Sequence, residues 1–370
     1  MIYTALILII VLSLLVFVHE LGHFLTAKRA GIRVDEFGFG FPPRAYSVKR
    51  GGTVYSINWI PLGGFVKIKG ESGEHASDKD SFASKPLHVR ALVLSAGVIM
   101  NIVLCWVLLS VGYLIGLPQI VDEGLSPYAR ITDSKIQVST VLEGSPAERA
   151  GIKSGDTILK VSGVPVTDAQ QVRDAALISP GDVFMSVARD GKNIDFAITP
   201  ERLAIIGKPG IGVALAKTGL VSYPAHIAPL EGAHATWVLT SDILSAFGGL
   251  IRDLFVDRKV SVELSGPVGI AFITADVAKL GFRYILQFTA LLSINLAIIN
   301  IFPIPALDGG RLAFLLVEAV RRKPLGRNIE TITHNVGFAL LMTLVVVITF
   351  RDVVKFGDRI LQGLGSLFGA

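Results

Sequence analysis

Four long apolar runs dominate the sequence. They extend over Ile2 to Ala27, Val89 to Leu117, Tyr284 to Phe302 and Ile332 to Phe350. Each run has roughly the 20 residues that a helix needs to cross the hydrocarbon core of a bilayer. The pattern therefore predicts a multi-pass α-helical membrane protein with about four transmembrane helices.

The segment between the first two runs alternates apolar and polar residues, which is typical of β-strands. The dipeptide Gly51-Gly52 separates two such stretches and favours a hairpin turn. Apolar side chains such as Trp59 and Ile60 would then lie beside the membrane, so we expect a membrane-associated β-loop over residues 33–70. The polar stretch 71–85 that follows is expected to be a mobile linker.

Composition and charge agree with a membrane protein and suggest its orientation. The chain is 51% hydrophobic and 18% charged, with a formal net charge of +5. Residues 1–27 contain neither Lys nor Arg, whereas the loop from Lys28 to Arg90 is rich in both. Because basic loops stay in the cytoplasm, we expect the β-loop inside the cell, and the N-terminus and residues 118–283 outside. We attribute the positive charge to this rule and not to nucleic-acid binding.

The region between the second and third runs has the composition of a soluble domain. From Gly144 to Gly163 it reads G-S-P-A-x-x-A-G-I-x-x-G-D-x-I-L-x-V-S-G. This order resembles the signature of PDZ domains of bacterial proteases, which bind peptides along a sheet edge. The resemblance implies one PDZ domain at 118–215 and an extracytoplasmic linker with an amphipathic helix at 216–283. It also implies a peptide-binding edge, namely Gly210, Ile211, Gly212 and Val213.

Three ionisable residues interrupt the first apolar run in the sequence H-E-L-G-H. His19 and His23 are four residues apart, so on a helix they share one face and can bind one zinc ion. Glu20 lies beside them in the position of a general base. Ionisable groups within a membrane helix are energetically costly and are by default functional. The alternative is a polar cluster that packs against other helices.

A third zinc ligand is expected at the end of the third run, in N-I-F-P-I-P-A-L-D-G-G. Two prolines end the helix there, and Asp308 follows them. Since the first and third helices run in the same direction, Asp308 should lie on the same side of the membrane as His19 and His23. An aspartate oxygen would complete a set of three protein ligands. The alternative is that Asp308 caps the N-terminus of the next helix.

Together these motifs resemble the site-2 protease family of intramembrane zinc metalloproteases (peptidase M50), of the bacterial regulator-of-sigma-E-protease type. H-E-L-G-H, the PDZ block and the family's N-x-x-P-x-P-x-L-D-G-G pattern occur in the family's order. The resemblance implies that Asn101 and Asn300 hold or polarise the substrate backbone near the metal. Hydrogen bonding between helices is the alternative for both. The family's larger members have two PDZ domains, whereas this chain has one such block.

The function implied is hydrolysis of peptide bonds within or near transmembrane segments of single-pass membrane proteins. Such substrates are first trimmed by another protease, as with an anti-sigma factor or a signal-peptide remnant. We expect main-chain pairing at Gly63 and Gly64 to hold the unwound substrate. The expected cofactor is Zn²⁺, and the expected partners are that substrate and membrane lipid, with no nucleic acid. The expected location is the bacterial plasma membrane, with the active site inside the bilayer toward the cytoplasm.

Two other functions stay open at this point. One is a catalytically inactive membrane scaffold that presents a PDZ domain, although an intact Glu20 argues against it. The other is a zinc sensor or transporter, for which the sequence offers no inverted repeat. In the preferred interpretation residues 1–117 and 284–370 form the two halves of the protease core. The remaining histidines are expected to be surface or packing residues, namely His75, His88, His226, His234 and His334.

Overall fold

The structure is a computed structural model that describes residues 2–122, 124–178, 181–189, 191–203, 207, 209–253, 256, 266–323, 326–357 and 359. The chain divides into two compact units. Met1–Val111 and Pro229–Ala370 form the first, here called the helical unit, and Gly112–Ala228 form the second, here called the sheet unit.

The elements follow in chain order. They are α1 (Ile2–Arg29), β1 (Val34–Arg50), β2 (Thr53–Ile68), a 3₁₀-helix (Phe82–Ser84), α2 (Leu87–Ile115), β3 (Leu117–Ile120), β4 (Arg130–Val141), α3 (Pro146–Ala150), β5 (Thr157–Val161), β6 (Val164–Pro165), α4 (Ala169–Ile178), β7 (Val183–Arg189), β8 (Lys192–Ile198), β9 (Glu201–Arg202), β10 (Pro209–Gly210), β11 (Val213–Ser222), α5 (Ala228–Arg252), α6 (Pro267–Leu280), α7 (Phe282–Ile301), α8 (Asp308–Arg321) and α9 (Arg327–Lys355).

The four predicted apolar runs form α1, α2, α7 and α9. Among the described residues, these four helices are long and apolar enough to cross a membrane. The third ends at Ile301, and Phe302 is extended with φ −61° and ψ 143°. This end follows from Pro303, whose ring disfavours the helical conformation of the residue before it. α1 packs against α6 and α7, which positions its polar face inside the helical unit.

The predicted hairpin is also present, formed by antiparallel β1 and β2. Arg50 pairs with Thr53 across Gly51 and Gly52, whose φ angles are +57° and +82°. Positive φ at both central residues is typical of two-residue hairpin turns and explains the glycine pair. Trp59 on β2 is 73% exposed, so the hairpin has an apolar surface without protein cover among the described residues.

The segment 71–85, predicted to be a mobile linker, is a loop that is anchored in its C-terminal part. Phe82 and Ser81 are buried, and Lys69 forms ion pairs with Asp78 at 2.8 Å and Asp80 at 2.7 Å. The polar composition indicated a loop correctly, but Phe82, the only aromatic residue of the segment, anchors this loop. Phe82 joins a core cluster with residues of α1 and α2.

Within its described residues, the sheet unit contains a seven-stranded sheet in the order β3-β11-β4-β5-β7-β8, with β6 paired to β5, and a two-stranded sheet of β9 and β10. The short helices α3 and α4 complete its core, where Val172 and Ala176 of α4 are buried beside Val187 of β7. The unit is longer at both ends than the predicted interval 118–215. The reason is that β11 pairs with β4 as far as Ser222 and with β3 at residues 218–221, so residues 216–222 of the predicted linker belong to the sheet.

Candidate metal centre

The two histidines of α1 lie side by side on one face of the helix. His19 and His23 are buried, and their Nε2 atoms are 3.2 Å apart. Their rings meet edge to face, with centroids separated by 4.8 Å. The spacing of four residues produces this pairing, because one helical turn separates the side chains.

Asp308 brings a carboxylate to the same point from the start of α8. Its Oδ2 lies 3.0 Å from Nε2 of His19 and 3.2 Å from Nε2 of His23. This is the only group of three potential ligands that occurs among the described residues. The N-cap position of α8 is Leu307, which makes no side-chain capping hydrogen bond, and Asp308 lies one residue inside the helix. The alternative role of Asp308 as a capping residue therefore has no support in the geometry.

Two glycines after Asp308 allow α8 to begin so close to α7. A Cβ atom on Gly309 would lie 2.2 Å from the carbonyl oxygen of Phe302. A Cβ atom on Gly310 would lie 2.4 Å from the carbonyl oxygen of Ile304. Both contacts are with backbone, which cannot move aside, so the Asp-Gly-Gly sequence is a packing requirement of this chain reversal.

The ligand set fits a tetrahedral zinc ion. Zinc ligands at about 2.0–2.1 Å from the metal lie about 3.3 Å from one another in a tetrahedron. The three observed separations are 3.0, 3.2 and 3.2 Å. In addition, Oδ2 of Asp308 is buried and has no hydrogen-bond partner in the described part of the chain. A bound cation would satisfy that oxygen.

Both histidines are oriented through their other ring nitrogen. Nδ1 of His23 lies 2.8 Å from the carbonyl oxygen of Val93, which can only accept a hydrogen bond. Nδ1 of His23 therefore carries a proton, and Nε2 is the nitrogen that could bind a metal ion. Nδ1 of His19 lies 3.3 Å from the amide of Asn101.

Asn101 is completely buried behind His19, and this differs from the substrate contact that the family resemblance implied. Its Oδ1 makes no hydrogen bond to any described residue, while its Nδ2 faces the histidine. A half-turn of the amide, which exchanges these two atoms, would let Oδ1 accept the Nδ1 proton of His19. In this structure the asparagine contacts a candidate ligand and offers no accessible surface.

Close packing between α1 and α2 depends on two more glycines. A Cβ atom on Gly22 would lie 2.4 Å from the carbonyl oxygen of Ala96. A Cβ atom on Gly97 would lie 2.4 Å from Nε2 of His23 and 2.7 Å from Nε2 of His19. Gly97 thus leaves the histidine nitrogens unobstructed on the side of α2.

Glu20 and the two predicted β-loop glycines lie along the contact between α1 and β2. Oε2 of Glu20 accepts a hydrogen bond from the Val66 amide at 3.1 Å. Gly63 and Gly64 are buried, and a Cβ atom on Gly63 would lie 2.8 Å from Val16 of α1. The glycines therefore bring β2 close to the helix that carries the histidines.

Asn300 lies on α7, and its side chain is partly exposed. It is seven residues beyond Ser293, which places both on one face of the helix. The hydroxyl of Ser293 donates a hydrogen bond to the carbonyl oxygen of Asn101 at 2.8 Å, so this face is turned toward α2. The Asn300 amide has no hydrogen-bond partner within the described residues, which leaves it available.

The predicted peptide edge of the sheet unit lines a cavity of about 650 Å³ beside α4. Gly210 ends β10, and Ile211 and Gly212 lead into β11 at Val213. The carbonyl oxygens of Ile211 and Gly212 accept hydrogen bonds from Ala147 and Leu142. Beyond them, residues 213–216 pair with β4 on one side only, because β3 reaches no further than Thr218. Within the described residues that other edge has no strand partner.

One partly buried contact was missed by the sequence analysis. His334 was predicted to be a surface or packing residue, but its Nδ1 accepts a hydrogen bond from the Ala306 amide at 2.9 Å. A signal for it was available, because a histidine within a membrane helix is by default functional. The backbone groups of Val93 and Val66, which contact His23 and Glu20, could not be found in this way. Almost any residue type supplies the same carbonyl or amide group.

Comparison with known proteins gives consistent results. The family model described as peptidase family M50 matches residues 7–344. The zinc metalloprotease RasP of Geobacillus kaustophilus is 32% identical over 433 aligned positions, which cover 94% of this chain and 97% of the relative. The regulator of sigma-W protease RasP of Bacillus subtilis is 32% identical, with 94% and 97% covered.

Among solved structures, the PDZ domain of the SdrC-like protein of Listeria monocytogenes is similar to part of the chain. It is 24% identical, and the match covers 23% of this chain and 92% of that domain, with a TM-score of 0.21.

Proposed function

Because the chain belongs to peptidase family M50, we propose that it hydrolyses peptide bonds within or near transmembrane segments of membrane proteins, using zinc. The single observation that carries this proposal is the convergence of His19, His23 and Asp308 on one point, with Glu20 next to them in sequence. A bound zinc ion supplies a Lewis acid there, which polarises the scissile carbonyl group and lowers the pKa of water.

Glu20 acts as the general base in this proposal. It takes a proton from the attacking water and passes it to the leaving amine. The Val66 amide supports this role, because its hydrogen bond to Oε2 fixes one carboxylate oxygen and leaves the other to reach the reacting water. β2, the strand that positions Glu20, is thus also well placed to approach a substrate.

The two asparagines have different roles. Asn101 orients His19, as its contact with Nδ1 and its complete burial suggest. Asn300 contacts the substrate backbone, which is consistent with its partly exposed amide and its lack of a partner in the described part of the chain. Main-chain groups of β2 near Gly63 and Gly64 hold the unwound substrate by strand addition.

The sheet unit acts as a PDZ domain that receives the trimmed end of the substrate. The unpaired edge at residues 213–216 and the adjoining cavity are the geometry that strand addition needs. The Lys and Arg distribution supports an extracytoplasmic location for this unit and for the N-terminus, with the zinc site inside the bilayer toward the cytoplasm.

The substrate is a single-pass membrane protein that another protease has already cut. The Bacillus subtilis relative is named a regulator of sigma-W protease, and this name favours an anti-sigma factor over a signal-peptide remnant. The domains are then the predicted protease halves, with the PDZ domain inserted between α2 and α5.

Purified protein and a model transmembrane peptide test the proposal. The wild-type protein should cleave the peptide in a zinc-dependent reaction, and Glu20→Gln should lower the rate about 100-fold to 10,000-fold, as expected for loss of a general base. Zinc content should stay unchanged in that variant. A scaffold or a zinc sensor would show no cleavage with the wild-type protein, and undiminished cleavage by Glu20→Gln would remove the assigned role of Glu20.

A further inference from the structure

The loop that carries Asp308 has a conformation that its own residues do not favour. It connects α7 to α8 through two prolines, and Ala306 has a φ angle of +80°. A non-glycine residue in the left-handed region costs free energy and persists only when its surroundings hold it there. Some contact must therefore stabilise the backbone two residues before the candidate ligand.

His334 of α9 provides that contact. Its Nδ1 accepts the hydrogen bond of the Ala306 amide at 2.9 Å. Because a backbone amide can only donate, this imidazole is neutral, with its proton on Nε2. Its ring also packs against Phe314 of α8, with centroids 5.4 Å apart. The histidine therefore touches the chain on both sides of Asp308.

The next turn of α9 is shaped to the same loop. Gly337 lies three residues after His334 and hence on the same face of the helix. A Cβ atom at Gly337 would lie 2.3 Å from Cβ of Pro305. α9 thus approaches the loop closely enough for the imidazole to reach the Ala306 amide.

We propose that His334 is a positioning residue for the metal centre. By accepting a hydrogen bond from the Ala306 amide, it holds the strained loop and keeps Oδ2 of Asp308 beside His19 and His23. This inference rests on the proposed role of Asp308 as a ligand, and it gives the last helix a part in building the site.

Two variants of matched shape separate positioning from packing. His334→Asn keeps an acceptor close to the location of Nδ1, whereas His334→Leu has the same branching and no acceptor. Zinc affinity of the full-length protein in detergent would be measured by competition with a chelating dye. We expect His334→Leu to bind zinc about tenfold to 100-fold more weakly, as for loss of other outer contacts of metal sites. His334→Asn should stay close to wild type.

Several outcomes would overturn the inference. One is a wild-type zinc affinity in His334→Leu. Another is an equal loss of zinc affinity in the leucine and asparagine variants, which would indicate that His334 acts through packing alone. If His334→Leu does not fold, His334→Gln replaces it, because its acceptor lies one bond further from the backbone. Equal affinity of the glutamine and asparagine variants then contradicts the inference. If wild-type protein binds no zinc at all, the proposed function fails and not only this refinement.

Discussion

The sheet unit and the helical unit each hold an aspartate in a polar cluster, and these two aspartates are satisfied in different ways. In the sheet unit, both oxygens of Asp156 accept hydrogen bonds from Arg189 at 2.6 Å, and the Lys153 amide adds a third at 2.9 Å. In the helical unit, Oδ2 of Asp308 meets two imidazole nitrogens but has no hydrogen bond to a described residue.

The difference indicates which cluster needs an outside cation. Burial raises the pKa of Asp156, but the Arg189 guanidinium and the Lys153 amide outweigh it and hold the pKa below its usual range. The chain itself thus supplies the positive charge for Asp156. At Oδ2 of Asp308 the described residues supply only two imidazoles, which lack the permanent charge of a guanidinium. A buried carboxylate oxygen without a hydrogen-bond donor, such as Oδ2 of Asp308, is therefore the better indicator of a metal site.

Removal of zinc should have the largest effect, and it should affect one cluster only. A chelator should reduce cleavage about a thousandfold or more, since Lewis-acid stabilisation is worth about 4 kcal/mol. Hydrogen exchange of β5 and β7, which flank Asp156, should not change. Loss of protection in those strands on chelation would show that the two clusters are not independent.

Replacing Arg189 should affect the Asp156 cluster and leave the zinc site unchanged. Arg189→Met leaves the carboxylate of Asp156 buried and uncompensated, so the sheet unit should lose about 3 kcal/mol of stability. The loss would be read from hydrogen exchange of β5 and β7 in the full-length protein, with zinc content unchanged. Arg149→Met is the control, because its pair with Glu201 is half exposed and worth less than about 1 kcal/mol. Similar losses in both variants would contradict the account.

A smaller change tests how closely the metal site is packed. Gly97→Ala should weaken zinc binding about tenfold to 100-fold, because the new Cβ atom displaces the histidine nitrogens. Gly248→Ala on α5 is the matched control, since no described atom lies within 4 Å of its added Cβ. Wild-type affinity in Gly97→Ala would mean that the histidines can shift without cost to the metal.

Much of this site could be predicted from sequence because its signals are local or topological. The four-residue histidine spacing determines a shared helix face, and the apolar runs determine the helices. The first and third apolar runs cross the membrane in the same direction in the predicted topology. This predicts that Asp308 lies near His19, although hundreds of residues separate them in the chain. The turn at Gly51 and Gly52 was equally local and was predicted correctly.

The remaining features depend on tertiary contacts that leave no pattern in a single sequence. The contact of Asn101 with His19 depends on the packing of α2 on α1, which the sequence does not reveal. The contact of His334 with Ala306 joins two distant elements through a backbone amide. Phe82 similarly fixes a polar segment by entering a core that the sequence does not reveal.

Zinc content per chain tests the central claim most directly. The claim is that His19, His23 and Asp308 together hold one zinc ion. Asp308→Asn keeps the size of the side chain and the start of α8, but removes the charge. We predict close to one zinc per chain in wild-type protein and in Glu20→Gln, and little zinc in Asp308→Asn. Full zinc content in Asp308→Asn would contradict the account.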